Sequence, residues 1–321
     1  MKRYLEKLGL IVLIAINGSV NAQTAGKAVH AGQQEIVYIK GLEFVDALLE
    51  KWISEYSKEH PDVTLSIAGK NAEEHSIEVV LFDKQNDDAS QVTKPTVSFG
   101  KYAVLPITGK NNALPDELKK KKLNEKRIKE LFFEKDHLAD NSDEVNSKKK
   151  YDLTVYSGNH SYSISHSFAR HFGYDAGSLK GKKIAGNDIY LNSAVEKDTK
   201  GISFNSLSYI FNIESRQLKD NIALLPLDVK KEYAEVLHSQ NLDETIQLLE
   251  SKEINLIPVE KLTFVLNGNV SAATLHFLEW TLSEGQDYLH SFGFLQLDTK
   301  TLAQQRKQIS ALETISLAIN N

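Results

Sequence analysis

The first part of the chain alternates between short apolar runs and one amphipathic stretch. Ile36–Ile39 is a continuous apolar run that ends before Gly41, which is the pattern of a buried strand. Between residues 44 and 56, apolar side chains recur on one helical face. Apolar and polar residues then alternate in Val63–Ile67, as in a strand. The order strand, helix, strand predicts an α/β fold with parallel pairing.

The same alternation continues towards the C-terminus. Helices are predicted at Ser163–Phe172, closed by Gly173, and at Leu242–Lys252, and the tail from Lys300 carries a further apolar face. Further strands are predicted at Ile77–Phe82, Tyr102–Ile107, Leu153–Tyr156, Lys183–Ala185, Ile222–Leu225, Ile254–Val259 and Phe264–Leu266.

The segment 277–297 predicts two short helices followed by an extended exit. Three leucines between Leu275 and Leu282 share one helical face, and Gly285 permits a break after them. A second amphipathic run, Gln286–Phe292, ends at Gly293, where a left-handed helix cap is expected.

The N-terminus has the pattern of a secretory signal peptide. Basic residues at positions 2, 3 and 7 precede the apolar run Leu8–Ile16, which is too short to span a bilayer, and small residues end at Ala22. We therefore expect residues 1–22 to be removed, with an uncleaved N-terminal anchor as the alternative. The chain has no cysteine, which excludes lipoprotein attachment, disulfides and thiolate chemistry.

Charge argues against nucleic acid as a partner. The formal net charge is −5 for the full chain and becomes −7 once residues 1–22, with three basic residues and one acidic residue, are removed. An acidic chain has no general attraction for nucleic acid or anionic lipid. After signal cleavage we expect a soluble periplasmic or otherwise exported protein without membrane insertion.

Several short blocks of sequence resemble, in their residues and in their order, the periplasmic phosphate-binding proteins that supply ABC importers. They are Ile39-Lys40-Gly41, Glu59–Val63, Leu123–Glu134, Gly186–Glu196, Gly201–Tyr209 and, near the C-terminus, Trp280, Glu284-Gly285-Gln286 and Gly293-Phe294. The resemblance covers nearly all of the chain after the signal peptide.

The resemblance implies a two-lobed α/β fold of the periplasmic-binding-protein type, with two crossover strands and a ligand cleft between the lobes. Lobe one would comprise residues 23–106 and 259–321, and lobe two residues 107–258. Pro106 and Pro258 would mark the two crossovers at the base of the cleft. Two crossovers allow the lobes to close on a ligand as a hinge.

The resemblance also implies an oxyanion site, of which only some parts are present. Gly41 is retained, and the loop before the helix at 163–172 offers four donors: Ser157, Asn159, Ser161 and Ser163. The alternative is that one serine caps the helix and the others are solvated.

Two other parts of the implied oxyanion site are altered. Where the family has serine or threonine after the first strand, this chain has Leu42, Glu43 and Phe44, and the turn Gly69–Glu74 is short and acidic. Leucine and phenylalanine side chains donate no hydrogen bond, and Glu43 competes with an anion for the helix end. Phosphate affinity is therefore expected to be weak or absent.

No pattern for catalysis stands out. The sequence contains no nucleophile elbow and no phosphate loop. His160, His166 and His171 lack the i, i+4 spacing of a metal-binding pair. We expect neither an enzyme nor a cofactor or metal.

Two functions remain open. One is an envelope solute-binding protein for phosphate or another small oxyanion, with an ABC importer permease as partner. The other is a binding-deficient relative that keeps the scaffold and acts as a protein-interaction module. The altered segment Leu42–Phe44 favours the second, and the serine-rich loop 157–163 favours the first.

The signal-peptide assignment predicts the N-terminus of the exported protein. Cleavage after Ala22 leaves Gln23 as the first residue. N-terminal sequencing of protein from the envelope fraction should therefore begin at Gln23. Recovery of an intact Met1 terminus from a membrane fraction would contradict both the cleavage and the soluble state.

Overall fold

A computed structural model describes residues 35–69, 75–81, 94–112, 114, 118, 121–134, 151–268 and 270–319. Within residues 34–321 the chain forms one compact unit. The signal peptide, most of the acidic turn Gly69–Glu74 and the polar segment 139–150 lie outside the described residues.

Helices and strands alternate through most of the described chain. The strands are β1 (Glu35–Lys40), β2 (Val63–Ile67), β3 (Ile77–Val80), β4 (Thr96–Gly109), β5 (Thr154–Gly158), β6 (Lys182–Ile184), β7 (Gly201–Ser206), β8 (Ile222–Leu224) and β9 (Val259–Leu266). The α-helices are α1 (Asp46–Glu59), α2 (Glu125–Phe132), α3 (Ile164–His171), α4 (Tyr190–Lys197), α5 (Leu207–Ile210), α6 (Lys231–Ser239), α7 (Leu242–Ser251), α8 (Ala272–Thr281) and α9 (Thr299–Ile319). Short 3₁₀ helices cover Ala176–Ser178, Glu284–Tyr288 and His290–Phe292.

The sheet has the order β2-β1-β3-β9-β4-β7-β5-β6, and β8 also pairs with β4. Pairing is parallel at both ends, where β1 lies between β2 and β3 and β5 lies between β6 and β7. Pairing is antiparallel in the middle, where β9 and β4 join the two ends. The predicted α/β class with parallel strand–helix–strand units is thus observed on both sides of β4 and β9.

Strand β4 changes partners along its length. Its first part pairs with β9 as far as Ala103, and from Val104 onwards it pairs with β7 and β8. The N–H of Val104, which lies two residues before Pro106, donates to the carbonyl of Pro258 at 3.0 Å. Strand β9 starts at the residue after Pro258. The two prolines therefore lie on adjacent segments, at the place where the sheet changes partners. The proposed lobe boundaries at these residues stay a prediction.

The core of the first half is organised by α1 and the C-terminal segment. Leu48, Leu49, Trp52 and Tyr56 are the buried face of α1, as the periodicity predicts. The indole N–H of Trp52 donates to the carbonyl of Gly285 at 2.8 Å, which ties α1 to a segment 233 residues away. An aromatic cluster in the second half forms its counterpart, with Phe132, Phe168, Phe172 and Phe204 among its members.

Two details of the sequence-based elements are wrong. Helix α1 begins at Asp46, so Phe44 precedes it instead of lying on its buried face. Residues 254–258 do not form a strand, because the N–H of Ile257 closes a turn onto Ile254 and Pro258 has no N–H to donate. Strand β9 starts after this turn and includes the segment predicted separately at 264–266.

Gly293 has the left-handed backbone that its position predicts, with φ of +78°. A Cβ there would also lie 3.0 Å from the backbone N and Cα of Ser208. We expect Gly293→Ala to lower the free energy of unfolding by about 1–2 kcal/mol or more, since left-handed backbone alone costs an L-residue that amount. Urea denaturation of the purified protein measures the change.

Gly177→Ala is the matched control for this substitution. Its φ is not in the left-handed region, and a Cβ at this position meets nothing within 4 Å. The control should be neutral or stabilising by up to about 1 kcal/mol. Equal midpoints for the two variants would contradict the assigned backbone of Gly293.

Candidate ligand-binding site

Two connecting segments lie close together on one face of the molecule. One is the β1–α1 segment, residues 41–45, and the other is the β5–α3 loop, residues 159–163. Glu43 of the first accepts a hydrogen bond from the side-chain amide of Asn187, which precedes α4. Tyr162 of the second donates to Glu78 of β3 at 3.4 Å. The two segments are therefore linked through neighbouring residues, since Glu43 contacts Asn187 and Ser163 contacts Asp188.

The N-terminus of α3 is already bonded to a carboxylate of this chain. Ser163 is the N-cap, and its Oγ accepts from the N–H of Ser165 at 3.1 Å. The same hydroxyl donates to Oδ1 of Asp188 at 2.6 Å, and the N–H of Ile164 donates to Oδ2 at 2.8 Å. Asp188 is only 5% exposed. An internal anion thus occupies part of the positive helix end.

Gly158 makes this arrangement sterically possible. A Cβ at this position would lie 2.3 Å from Oγ of Ser163 and 2.4 Å from Oδ1 of Asp188. Its N–H also donates to Oγ of Ser165 at 2.8 Å. Only glycine leaves room for the carboxylate to cap the helix here.

The predicted donors divide into two groups. Ser157 and Ser163 are fully buried, and Oγ of Ser157 accepts from Nζ of Lys183 at 3.1 Å. Burial lowers the pKa of Lys183 below its ordinary value. Asn159 and Ser161 are exposed. Of the four predicted donors, only Asn159 and Ser161 therefore have side chains available to an external ligand.

Gly41 lies beside a carboxylate rather than beside donors. A Cβ at Gly41 would lie 2.6 Å from Oδ1 of Asp46, in the first turn of α1. Asp46 and Glu43 together place negative charge at the end of α1 that would face an anion.

The electrostatics of the face are acidic around Tyr209. Burial raises the pKa of the Tyr209 hydroxyl well above its ordinary value, although a hydrogen bond with Asn187 acts to lower it. The charges of Asp188, Glu43 and Asp46 raise it further. Carboxylates from two parts of the chain, Glu43 and Asp46 in one and Asp188 in the other, thus act on one phenol, and their charge disfavours an anion there.

The ring of Phe44 fills the space beside these carboxylates. Its centroid lies 5.2 Å from Tyr102, 5.5 Å from Tyr209 and 5.3 Å from Phe294, each in an edge-to-face arrangement. Such pairs contribute about 0.5–1.5 kcal/mol each beyond the area they bury. Phe44 therefore holds the β1–α1 segment against residues from three other parts of the chain.

Sequence reasoning missed Asp188 as a contact of the loop. The residue lies inside the block 186–196 that carries part of the resemblance, but it is 24 residues from Ile164. Its proximity depends on β6 pairing beside β5, which no local pattern specifies. The role of Gly158 follows from the same contact.

Other kinds of site find no support in the residues that the structure describes. Among them, no group of three or more His, Asp or Glu side chains is arranged to hold a metal ion. Within the same ranges, no helix combines the length and apolar character needed to cross a bilayer.

No protein-family model and no curated protein matches the sequence. Solved structures do match. One is described as a phosphate ABC transporter substrate-binding protein with bound phosphate from Clostridium perfringens, with 19% identity and a TM-score of 0.55, and the match covers 82% of this chain and 100% of that one. Another is an ABC-type phosphate transport receptor from Vibrio cholerae, with 12% identity and a TM-score of 0.52, covering 81% and 100%. The chain has a two-lobed periplasmic-binding-protein-like fold.

This fold is the one that the sequence resemblance implied, and that prediction is confirmed. At these identities the likeness establishes the fold alone. The roles of Gly41, Ser157, Asn159, Ser161 and Ser163 in binding stay predictions.

The contact between Asp188 and α3 predicts a measurable contribution to stability. Asp188→Ala leaves the buried Ser163 hydroxyl and the Ile164 N–H without their acceptor. Each buried unpaired group costs about 1–3 kcal/mol, so the free energy of unfolding should fall by at least about 2 kcal/mol. Urea denaturation followed by circular dichroism measures the loss.

Asp220→Ala serves as the control, because Asp220 is exposed. Its unfolding midpoint should match that of the unsubstituted protein, as for most surface positions. If the two alanine variants were equally stable, Asp188 would not stabilise the N-terminus of α3.

Proposed function

We propose that the chain is an envelope solute-binding protein of the ABC-importer type, which binds a small solute between its two lobes. The observation that carries this proposal is the link between the β5–α3 loop, with its exposed Asn159 and Ser161, and the β1–α1 segment through Asn187 and Asp188 in a two-lobed fold. The pattern of residues 1–22 supports export. The importer permease would be the partner.

Within this function, phosphate should be a poor ligand. Leu42 and Phe44 offer no donors, Glu43 and Asp46 add negative charge, and Asp188 takes the N–H of Ile164. A hydrogen bond to a charged group contributes about 1.5–3 kcal/mol. Losing two of them corresponds to roughly two to four orders of magnitude in affinity. A small oxyanion would depend mainly on Asn159, Ser161 and the backbone N–H groups of the loop.

A second candidate function is a binding-deficient relative that acts as a protein-interaction module. It is favoured by contacts that fill the face with the chain's own side chains: Phe44 among its three aromatic neighbours, and Glu43 bonded to Asn187. These contacts join the same segments that a solute would join.

Calorimetric titration of the chain beginning at Gln23 tests these proposals. Phosphate should give no measurable heat at micromolar concentration, and sulfate and acetate extend the search to other small anions. Saturable binding of any of them supports solute binding, and no heat with all three favours the interaction module. Micromolar or tighter binding of phosphate would contradict the assigned loss of donors.

A double substitution tests whether an anion that binds contacts the loop side chains. Asn159→Ala with Ser161→Ala removes the exposed side-chain donors of the loop, and affinity should fall by about tenfold or more. Ser215→Ala, in an exposed turn, is the control and should leave affinity unchanged. Equal affinities for the double variant and the control would remove the loop side chains from the site.

A further inference from the structure

A cavity lies away from the candidate site, where the end of α7 meets the crossover strands. Its volume is about 550 Å³, within the range of small-molecule sites. It shares no lining residue with the segments 41–45 and 157–163. Its walls include Lys101, Phe172, Glu250, Lys252, Ile254 and Val259.

Glu250 presents one of its two carboxylate oxygens to structural partners. Oε1 accepts from Nε2 of His290 at 2.8 Å and from the N–H of Gln296 at 2.6 Å. In the described part of the chain, no hydrogen bond reaches Oε2. Burial alone would raise the pKa of Glu250. The hydrogen bonds from His290 and Gln296, together with the charge of Lys101, outweigh burial, so the pKa lies below its ordinary value. The carboxylate is therefore fixed in position and ionised at neutral pH.

Lys101 supplies the opposite charge from β4. Its backbone is held by paired hydrogen bonds with Leu295 at 2.9 and 2.8 Å, and its side chain lines the cavity. Among the residues described, its ammonium group has no carboxylate oxygen within 4.0 Å. Lys101 and Glu250 thus lie within electrostatic range of each other without forming an ion pair.

Lys101 and Glu250 are two of the five Lys and Glu residues that line the cavity, and as unlike charges held apart they are complementary to a ligand that carries both charges. The carboxylate of such a ligand pairs with Lys101 and its ammonium group with Glu250, each through charge-assisted hydrogen bonds. Phe172, Ile254 and Val259 also line the cavity and form its apolar wall. A ligand that filled the cavity would satisfy both charges and bury an apolar group at the same time.

From this arrangement we propose that the cavity binds a zwitterionic amino acid with an apolar side chain. Its α-carboxylate contacts Lys101, its α-ammonium contacts Oε2 of Glu250, and its side chain packs on the apolar wall. The proposal does not depend on the function of the candidate site at segments 41–45 and 157–163, because the cavity shares no lining residue with it.

Leucine is the probe, and two analogues each lack one of its charges. 4-Methylpentanoate has no ammonium group, and 3-methylbutylamine has no carboxylate. Leucine should bind saturably in calorimetry, and each analogue should bind at least about tenfold more weakly, because one hydrogen-bonded charge is missing. No leucine binding up to millimolar concentration, or equal affinities for leucine and both analogues, would overturn the proposal.

Substitutions of Lys101 and Glu250 test which charged group of the ligand each residue contacts. Lys101→Met keeps the aliphatic stem and removes the charge, so leucine and 3-methylbutylamine should bind with similar affinity. Glu250→Gln keeps an acceptor for His290 and Gln296, so leucine and 4-methylpentanoate should become similar in affinity. If both variants still bound leucine more tightly than either analogue, Lys101 and Glu250 would not be the residues that contact the ligand.

Lys231→Met is the matched control, since Lys231 has a side chain that is 91% exposed and does not line the cavity. It should bind leucine as the unsubstituted protein does. Thermal unfolding of each variant without ligand checks that the fold is intact. Glu250→Gln retains its structural bonds and therefore tests the proposal even if Lys101→Met is unstable.

Discussion

The structure depends on the passage of β4 from one half of the sheet to the other. At the point of passage, Tyr102 is fully buried and its hydroxyl contacts two elements. It lies 2.5 Å from Oγ of Ser167 on α3 and donates to the carbonyl of Leu81 at 3.2 Å. Burial raises the pKa of this phenol well above its ordinary range, so it remains a neutral donor. The crossover strand thereby determines where α3 lies, and with it the N-terminus at the candidate site.

Competition for that helix N-terminus explains why the face is a poor phosphate site. Asp188 is part of the chain, so its carboxylate is held at α3 without the entropy that a free anion loses on binding. Gly158 leaves the space that Asp188 needs, and Ser163 donates to it. An external anion is left with the exposed part of the loop, and it also meets the charges of Glu43 and Asp46. The same residues that order the loop therefore reduce its capacity for anions.

Sequence periodicity predicted most elements because each depends on local alternation of apolar and polar residues. Helix α1 and strand β2 are examples, and Gly293 has the left-handed backbone that its position requires. The contacts of the candidate site depend instead on distant residues. Asp188 reaches Ile164 only because β6 pairs with β5, and Phe44 reaches Phe294 across nearly the whole chain. The resemblance located the block Glu284-Gly285-Gln286, but its physical role is visible only in three dimensions: Gly285 accepts from Trp52, and Gln286 donates to the carbonyl of Phe99.

Helix α3 connects the two places where a ligand could act. Its N-terminus is bonded to Asp188 at the candidate site, and its last residue, His171, and the following Phe172 line the cavity together with Lys101. The helix has eight residues, about 12 Å at 1.5 Å per residue. Its flank is fixed by Tyr102 at Ser167 and by an ion pair of 3.0 Å between Arg170 and Glu260 of β9. Both crossover strands thus contact this helix between the two places, and a ligand that displaced the helix at one end would change the geometry at the other. By linkage, any such coupling between two bound ligands is equal in both directions.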